Sequence, residues 1–111
     1  MPKKRQFETD AIRTQTKITG EREHSTSLFM TSSFQFESAE HARAMFAREV
    51  EGNVYSRYSN PNTDEFVRKM CRLEGAEAGV ATSSGMAGVF GCLAGLLKQG
   101  DHILASRSLF G

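Results

Sequence analysis

The stretch Ala78-Gly79-Val80-Ala81-Thr82-Ser83-Ser84-Gly85-Met86 decides the fold class. Its first six residues are small and mostly apolar, as a short buried strand requires. The chain then passes through Ser84-Gly85 into an apolar helix predicted from about Met86 to Lys98. Lys98-Gln99-Gly100 closes that helix with a charge suited to its dipole, and Asp101 leads into a second strand candidate, His102-Ile103-Leu104-Ala105-Ser106. Strand, helix, strand is the order of a crossover unit in a parallel α/β sheet. The helix is apolar nearly all round, so burial or close packing is expected. Gly88, Gly91 and Gly95 share one side of it, and each costs roughly 1 kcal/mol of helix propensity relative to alanine. Close approach of another backbone or of a cofactor would offset that cost.

Upstream, Asn60-Pro61 reads as a helix cap followed by the first helical position. Asn62 with Glu65 offers a second cap pair. Phe66, Val67, Met70 and Leu73 define one face, Gly75 is the expected stop, and Arg68, Lys69, Arg72 and Glu74 are expected to face water. An earlier helix is predicted over about 38–48, capped by Ser38 and carrying Ala42, Met45, Phe46 and then Val50 as its apolar stripe, with Gly52-Asn53 ending the unit. Residues 1–33, with Thr14-Gln15-Thr16 and Ser25-Thr26-Ser27, show little periodicity and read as a long, mostly irregular arm. Leu28-Phe29-Met30 and Phe34-Gln35-Phe36 could pin that arm to another surface. The expected organisation is an extended arm with one helix over 1–60 and the start of an α/β domain over 61–111.

Composition narrows the function. The 111 residues carry 14 basic and 13 acidic side chains, a net charge of +1, which gives no reason to invoke nucleic acid or an anionic membrane. The basic cluster Lys3-Lys4-Arg5 is short, and no apolar segment of the kind a secretory signal needs follows it. The run Gly85 to Leu97 is too short for a bilayer and holds four glycines. Cys71 and Cys92 lie in apolar helical patterns without Cys or His at metal-ligand spacing, and they read as small buried hydrophobes of a reducing cytoplasm. His24, His41 and His102 are scattered and suggest neither a zinc site nor a catalytic histidine.

Two places carry chemistry. In Tyr55-Ser56-Arg57-Tyr58-Ser59-Asn60-Pro61 a phenol and a guanidinium stand two apart. In an extended segment they would point the same way, and together they suit a phosphate. The bland reading is a surface loop with a solvated arginine. In Ser83-Ser84-Gly85-Met86 a strand feeds a helix start, where free amides and the dipole converge. There the bland reading is a serine-capped helix. A dinucleotide fingerprint and a P-loop lysine are both absent at this turn, so a phosphorylated cofactor held by a simpler cup is the better functional version.

The Tyr55-to-Pro61 string, then Leu73-Glu74-Gly75-Ala76-Glu77, Ser84-Gly85-Met86-Ala87 and Gly100-Asp101-His102-Ile103, resembles the cystathionine gamma-synthase family of Cys/Met-metabolism enzymes, from about Thr14 onward. Within it the likeness leans toward O-succinylhomoserine or O-acetylhomoserine sulfhydrylases. The resemblance implies pyridoxal 5'-phosphate (PLP) as cofactor and fold type I, with a mixed, mostly parallel sheet. It implies that Gly85 and Met86 give backbone amides to the phosphate of the chain's own PLP. Tyr55 and Arg57 would bind the phosphate of the neighbouring subunit's PLP, and the arm would wrap over that neighbour in a dimer, usually within a tetramer. Asn62 departs from the family, which commonly has Thr there.

The implied activity is a cytoplasmic step of methionine biosynthesis, making homocysteine from an O-acylated homoserine and sulfide. Cystathionine synthesis, gamma-elimination and a non-catalytic dimerisation fragment are the alternatives. The family's Schiff-base lysine, the aspartate at the pyridine nitrogen and the substrate-carboxylate arginine would all lie beyond Gly111. Lys98 is a helix-end lysine and takes no such role. The chain therefore reads as the amino-terminal part of a longer enzyme, expected to be inactive and poorly folded by itself.

Overall fold

A computed structural model describes residues 6–14 and 18–109. Lys3-Lys4-Arg5, Gln15-Thr16 and Phe110-Gly111 lie outside the described residues. The chain divides into two compact units, Met1–Ala81 and Thr82–Gly111. Four helices are present among the described residues: α1 (Phe7–Arg13), α2 (Ala39–Phe46), α3 (Pro61–Glu74) and α4 (Gly85–Leu96). None of the described helices is long and apolar enough to cross a membrane.

Helix α3 organises the first unit. Extended Asn60 accepts the amide of Asn62 on its side chain at 2.9 Å, and Pro61 takes the first helical position. Gly75 ends the helix at φ +69°, a left-handed conformation that suits glycine, and the amide of Ala76 returns to the carbonyl of Cys71 at 2.8 Å. The Asn62–Glu65 cap pair does not form, because Asn60 already occupies the cap and both side chains have other partners. Glu65 is buried, accepts the hydroxyl of Thr26 at 2.7 and 2.8 Å, and pairs with Lys69 at 2.7 Å. Lys69 is thus half-buried rather than water-facing, and Arg72 lies 3.4 Å from the carboxylate of Asp10. That last contact belongs to α1, a two-turn helix inside the arm that packs on α3. Phe66 and Met70, expected on the inner face, are exposed.

Helix α2 starts where expected, with Ser38 accepting the amide of His41 at 3.0 Å. It stops two residues early. Arg48 turns left-handed at φ +59°, its amide bonds to the carbonyl of Met45 at 3.1 Å, and the amide of Glu49 bonds to that of Ala44 at 2.9 Å. This is a Schellman closure with arginine where glycine is usual. Arg43 ties the closure down from outside through Glu49, at 2.8 and 3.1 Å.

Neither strand candidate forms. Among the described residues there is no strand ladder, and the β-pairing present is an isolated antiparallel bridge, Ser33 to Tyr55. Residues 78–83 and 102–106 make no backbone–backbone hydrogen bond, and Val80 and Leu104 are exposed. A strand is a paired object, and a parallel one needs neighbours and covering helices. No described segment supplies them, so the expected crossover unit has its helix here without its sheet.

In the second unit, Ser84 accepts the amide of Ala87 at 3.1 Å and opens α4. The helix ends at Leu96, and Gly100 at φ +98° serves the following turn, which Asp101 closes on the amide of Lys98 at 2.7 Å. The expected burial of α4 is not met: Met86, Val89, Phe90 and Leu96 are all more than half exposed. A Cβ at Gly91 or Gly95 would meet nothing within 4 Å, so no close approach among the described residues explains those glycines. Cys92 is exposed for the same reason, whereas Cys71 is half-buried beside Gly79; both thiols are free.

The Arg48→Gly change in the intact protein is expected to stabilise it by about 1 kcal/mol, because the left-handed backbone stays and its Cβ penalty goes. A higher denaturant midpoint at unchanged slope is the measurement; an unchanged or lower midpoint contradicts it.

Candidate functional site

The Tyr55–Pro61 segment is fixed before its side chains are considered. The amide of Ser56 bonds to the carbonyl of Ser32 at 2.9 Å, and that of Phe34 to the carbonyl of Val54 at 3.3 Å. The amides of Tyr58 and Ser59 then both return to the carbonyl of Tyr55, at 2.9 and 3.1 Å. The segment is therefore a turn from Tyr55 onward, not the extended form in which alternate side chains align. The pleat does not bring Tyr55 and Arg57 together; the turn does.

It brings in Tyr58 as well. The guanidinium carbon of Arg57 lies 5.1 Å from the centre of the Tyr55 ring and 5.7 Å from that of Tyr58, both within the range of cation–π attraction. Among the described residues no carboxylate pairs with Arg57, and the Tyr55 hydroxyl has no hydrogen-bond partner. A guanidinium held by rings keeps its planar fork of donors for an external anion, which a salt-bridged arginine would not. Tyr58 was not singled out from the sequence. Its signal was its position beside Arg57, which matters only once the chain turns.

The second place is the start of α4. The Ser84 hydroxyl takes the third amide of the helix and the Ser84 carbonyl takes the fourth, from Gly88 at 3.2 Å. That leaves the amides of Gly85 and Met86 without an acceptor among the described residues. A Cβ at Gly85 would meet nothing within 4 Å, and its φ is not left-handed. Neither packing nor backbone strain within the chain demands glycine there. What glycine does leave is open approach to two free amides at the positive end of a dipole. Ser83 makes no cap bond, so Ser84 is the serine that acts. Among the described residues no group of three or more His, Cys, Asp or Glu side chains is placed to hold a metal ion.

Both places leave hydrogen-bond donors without a partner among the described residues. The family model of Cys/Met metabolism PLP-dependent enzymes matches residues 8–111. The chain belongs to that family. Among curated members, the O-succinylhomoserine sulfhydrylase of Pseudomonas aeruginosa is 50% identical over 105 residues, covering 95% of this chain and 26% of that protein. The enzyme of the same name from Mycobacterium tuberculosis is 45% identical over 83% of this chain and 23% of its own length. An L-methionine gamma-lyase of Treponema denticola is 41% identical over 78% of this chain and 21% of its own. A solved structure from Campylobacter jejuni, assigned as an O-acetylhomoserine (thiol)-lyase and carrying a pyridoxyl-lysine 5'-monophosphate, superposes with a TM-score of 0.80 at 32% identity. It covers 88% of this chain and 24% of that one. The chain thus spans about a quarter of the length of the family members it matches.

For this PLP-family chain, Gly85→Ala separates fold from ligand. The change is expected to leave stability within about 0.5 kcal/mol, since the new methyl meets nothing. In the intact protein it is expected to weaken PLP retention by about tenfold, since that methyl crowds the amides. Thermal unfolding of the apo form and dialysis of the holo form measure the two. Equal PLP retention contradicts an anion at Gly85.

Proposed function

We propose that the intact protein is a PLP-dependent sulfhydrylase of fold type I, making homocysteine from O-succinyl- or O-acetylhomoserine and sulfide. In this reading residues 1–60 form an arm against a neighbouring subunit and residues 61–111 begin the PLP-binding domain. The observation that carries the site is Arg57: a guanidinium over two tyrosine rings and without a carboxylate partner among the described residues. The higher identity to sulfhydrylases than to the gamma-lyase supports the choice of reaction.

The donor set fits a phosphomonoester. Gly85 and Met86 offer two free amides at a helix start, and Tyr55 and Arg57 offer a hydroxyl and a guanidinium fork. Bound PLP supplies an electron sink that lets the gamma substituent of the amino acid leave and a sulfur nucleophile replace it. The roles of these residues are to bind and orient. The amides of Gly85 and Met86 hold the phosphate of the chain's own cofactor. Tyr55 and Arg57 reach the phosphate of the neighbouring subunit's cofactor, which requires a homodimer and is compatible with a dimer of dimers in the cytoplasm.

Incubating the intact protein with either acyl-homoserine and sulfide is expected to yield homocysteine. Release of an oxo acid as the main product would instead favour a lyase. Arg57→Ala is expected to weaken PLP retention by about ten- to a hundredfold, the worth of a charge-assisted contact to phosphate. Wild-type subunits mixed with the variant are expected to restore some sites. Unchanged retention in Arg57→Ala would point to an unrelated anion-binding domain.

A further inference from the structure

We infer that Asn62 is a positioning residue for the Tyr55–Arg57 phosphate clip, acting through a strap of main chain, residues 26–32, that its side-chain amide clamps. The inference rests on the reading of Tyr55 and Arg57 as a phosphate site.

The clamp has two points. The Asn62 side-chain oxygen accepts the amide of Phe29 at 2.7 Å, and its NH2 donates to the carbonyl of Ser27 at 2.8 Å. A carboxamide carries one acceptor and a donor group side by side, and here they meet the carbonyl of one strap residue and the amide of the residue two further on. Aspartate would place an acceptor against the Ser27 carbonyl, alanine would leave both groups unpaired, and a threonine hydroxyl is a single point of contact.

From the clamp the path to the clip is short. The NH2 of buried Asn60 donates to the carbonyl of Phe29 and to the hydroxyl of Ser56, each at 3.0 Å. The Ser56 hydroxyl in turn donates to the carbonyl of Thr31, and the Ser56 amide bonds to the carbonyl of Ser32 at 2.9 Å. Ser56 stands between Tyr55 and Arg57, and both of those side chains are exposed. The direction of the clip is therefore fixed mainly through the Ser56 backbone, and that backbone is registered against the strap that Asn62 holds. Asn62 serves no cap of its own, so its replacement tests the strap without removing the start of α3.

The test compares PLP with pyridoxal, which lacks the phosphate, by titrating the intact apo protein. Asn62→Ala is expected to weaken PLP about fivefold, the worth of roughly one net hydrogen bond, while leaving pyridoxal unchanged. The double variant with Arg57→Ala is expected to bind PLP no more weakly than Arg57→Ala alone, because a misplaced clip and a missing one are the same loss. Equal weakening of PLP and pyridoxal by Asn62→Ala would make its role merely structural and overturn the inference. So would unchanged PLP affinity in Asn62→Ala while Arg57→Ala loses it. If Arg57→Ala itself leaves the PLP-to-pyridoxal ratio unchanged, it is the phosphate reading that fails. Should Asn62→Ala yield no folded protein, Ser56→Ala interrupts the same path one step nearer the clip, and the same outcomes decide.

Discussion

The first unit depends on one buried carboxamide. The Asn60 side chain makes three hydrogen bonds: it accepts the Asn62 amide, and its NH2 donates to the Phe29 carbonyl and the Ser56 hydroxyl. Each bond joins a different stretch of chain, namely the first turn of α3, the strap and the turn that carries Arg57. A buried amide left unpaired costs about 1–3 kcal/mol, more than a typical net hydrogen bond contributes. Satisfying Asn60 therefore fixes three segments together, and a partial arrangement is penalised. Pro61 adds to this by presetting the backbone for the first helical position, where no amide is needed.

Polar connections bear this weight because apolar burial is scarce. Met45 is the buried hydrophobe among the described residues, alongside buried Asn60 and Glu65. Glu65 shows the consequence. A carboxylate out of water must be paired and hydrogen-bonded, and it obtains Lys69 from its own helix and Thr26 from the strap. The strap is thus fastened along one side of α3 at residues 60, 62 and 65. Phe66 and Met70 of α3 and nearly all of α4 are exposed, a distribution that suits surfaces meeting further protein.

The boundary between what could and could not be read from sequence follows the range of the interactions. Ser38, Asn60-Pro61 and Gly75 are legible because a cap is settled within four residues. Arg48 is not, since a left-handed arginine breaks the local rule that would have announced it. The strands are absent here for a different reason: small apolar runs specify a tendency to pair, and pairing is a property of two segments. Tyr55 and Arg57 are legible as residue types, whereas the turn that brings them together is not. Asn62 was seen as a helix-start residue and a minor departure from threonine. Its actual partners lie 33 and 35 positions away, beyond any periodicity.

On the proposed reading the helix start and the guanidinium hold an anion in different ways, and that difference explains why both are needed. A helix start offers about half a positive charge, and it is directional because the amides cannot turn away. A guanidinium offers a full charge but on a long, exposed side chain, where solvent screens it and rotation dissipates it. The Tyr55 and Tyr58 rings, 5.1 and 5.7 Å from the guanidinium carbon, attract it without consuming the charge, since rings are neutral. A phosphomonoester near neutral pH carries about 1.5 to 2 negative charges, more than the amides of Gly85 and Met86 can balance by themselves. On that reading an arginine at the same phosphate would bring the sum close to neutrality. If the arginine comes from a neighbouring subunit, charge balance at the cofactor is complete only in the oligomer, and cofactor retention becomes coupled to assembly by mass action.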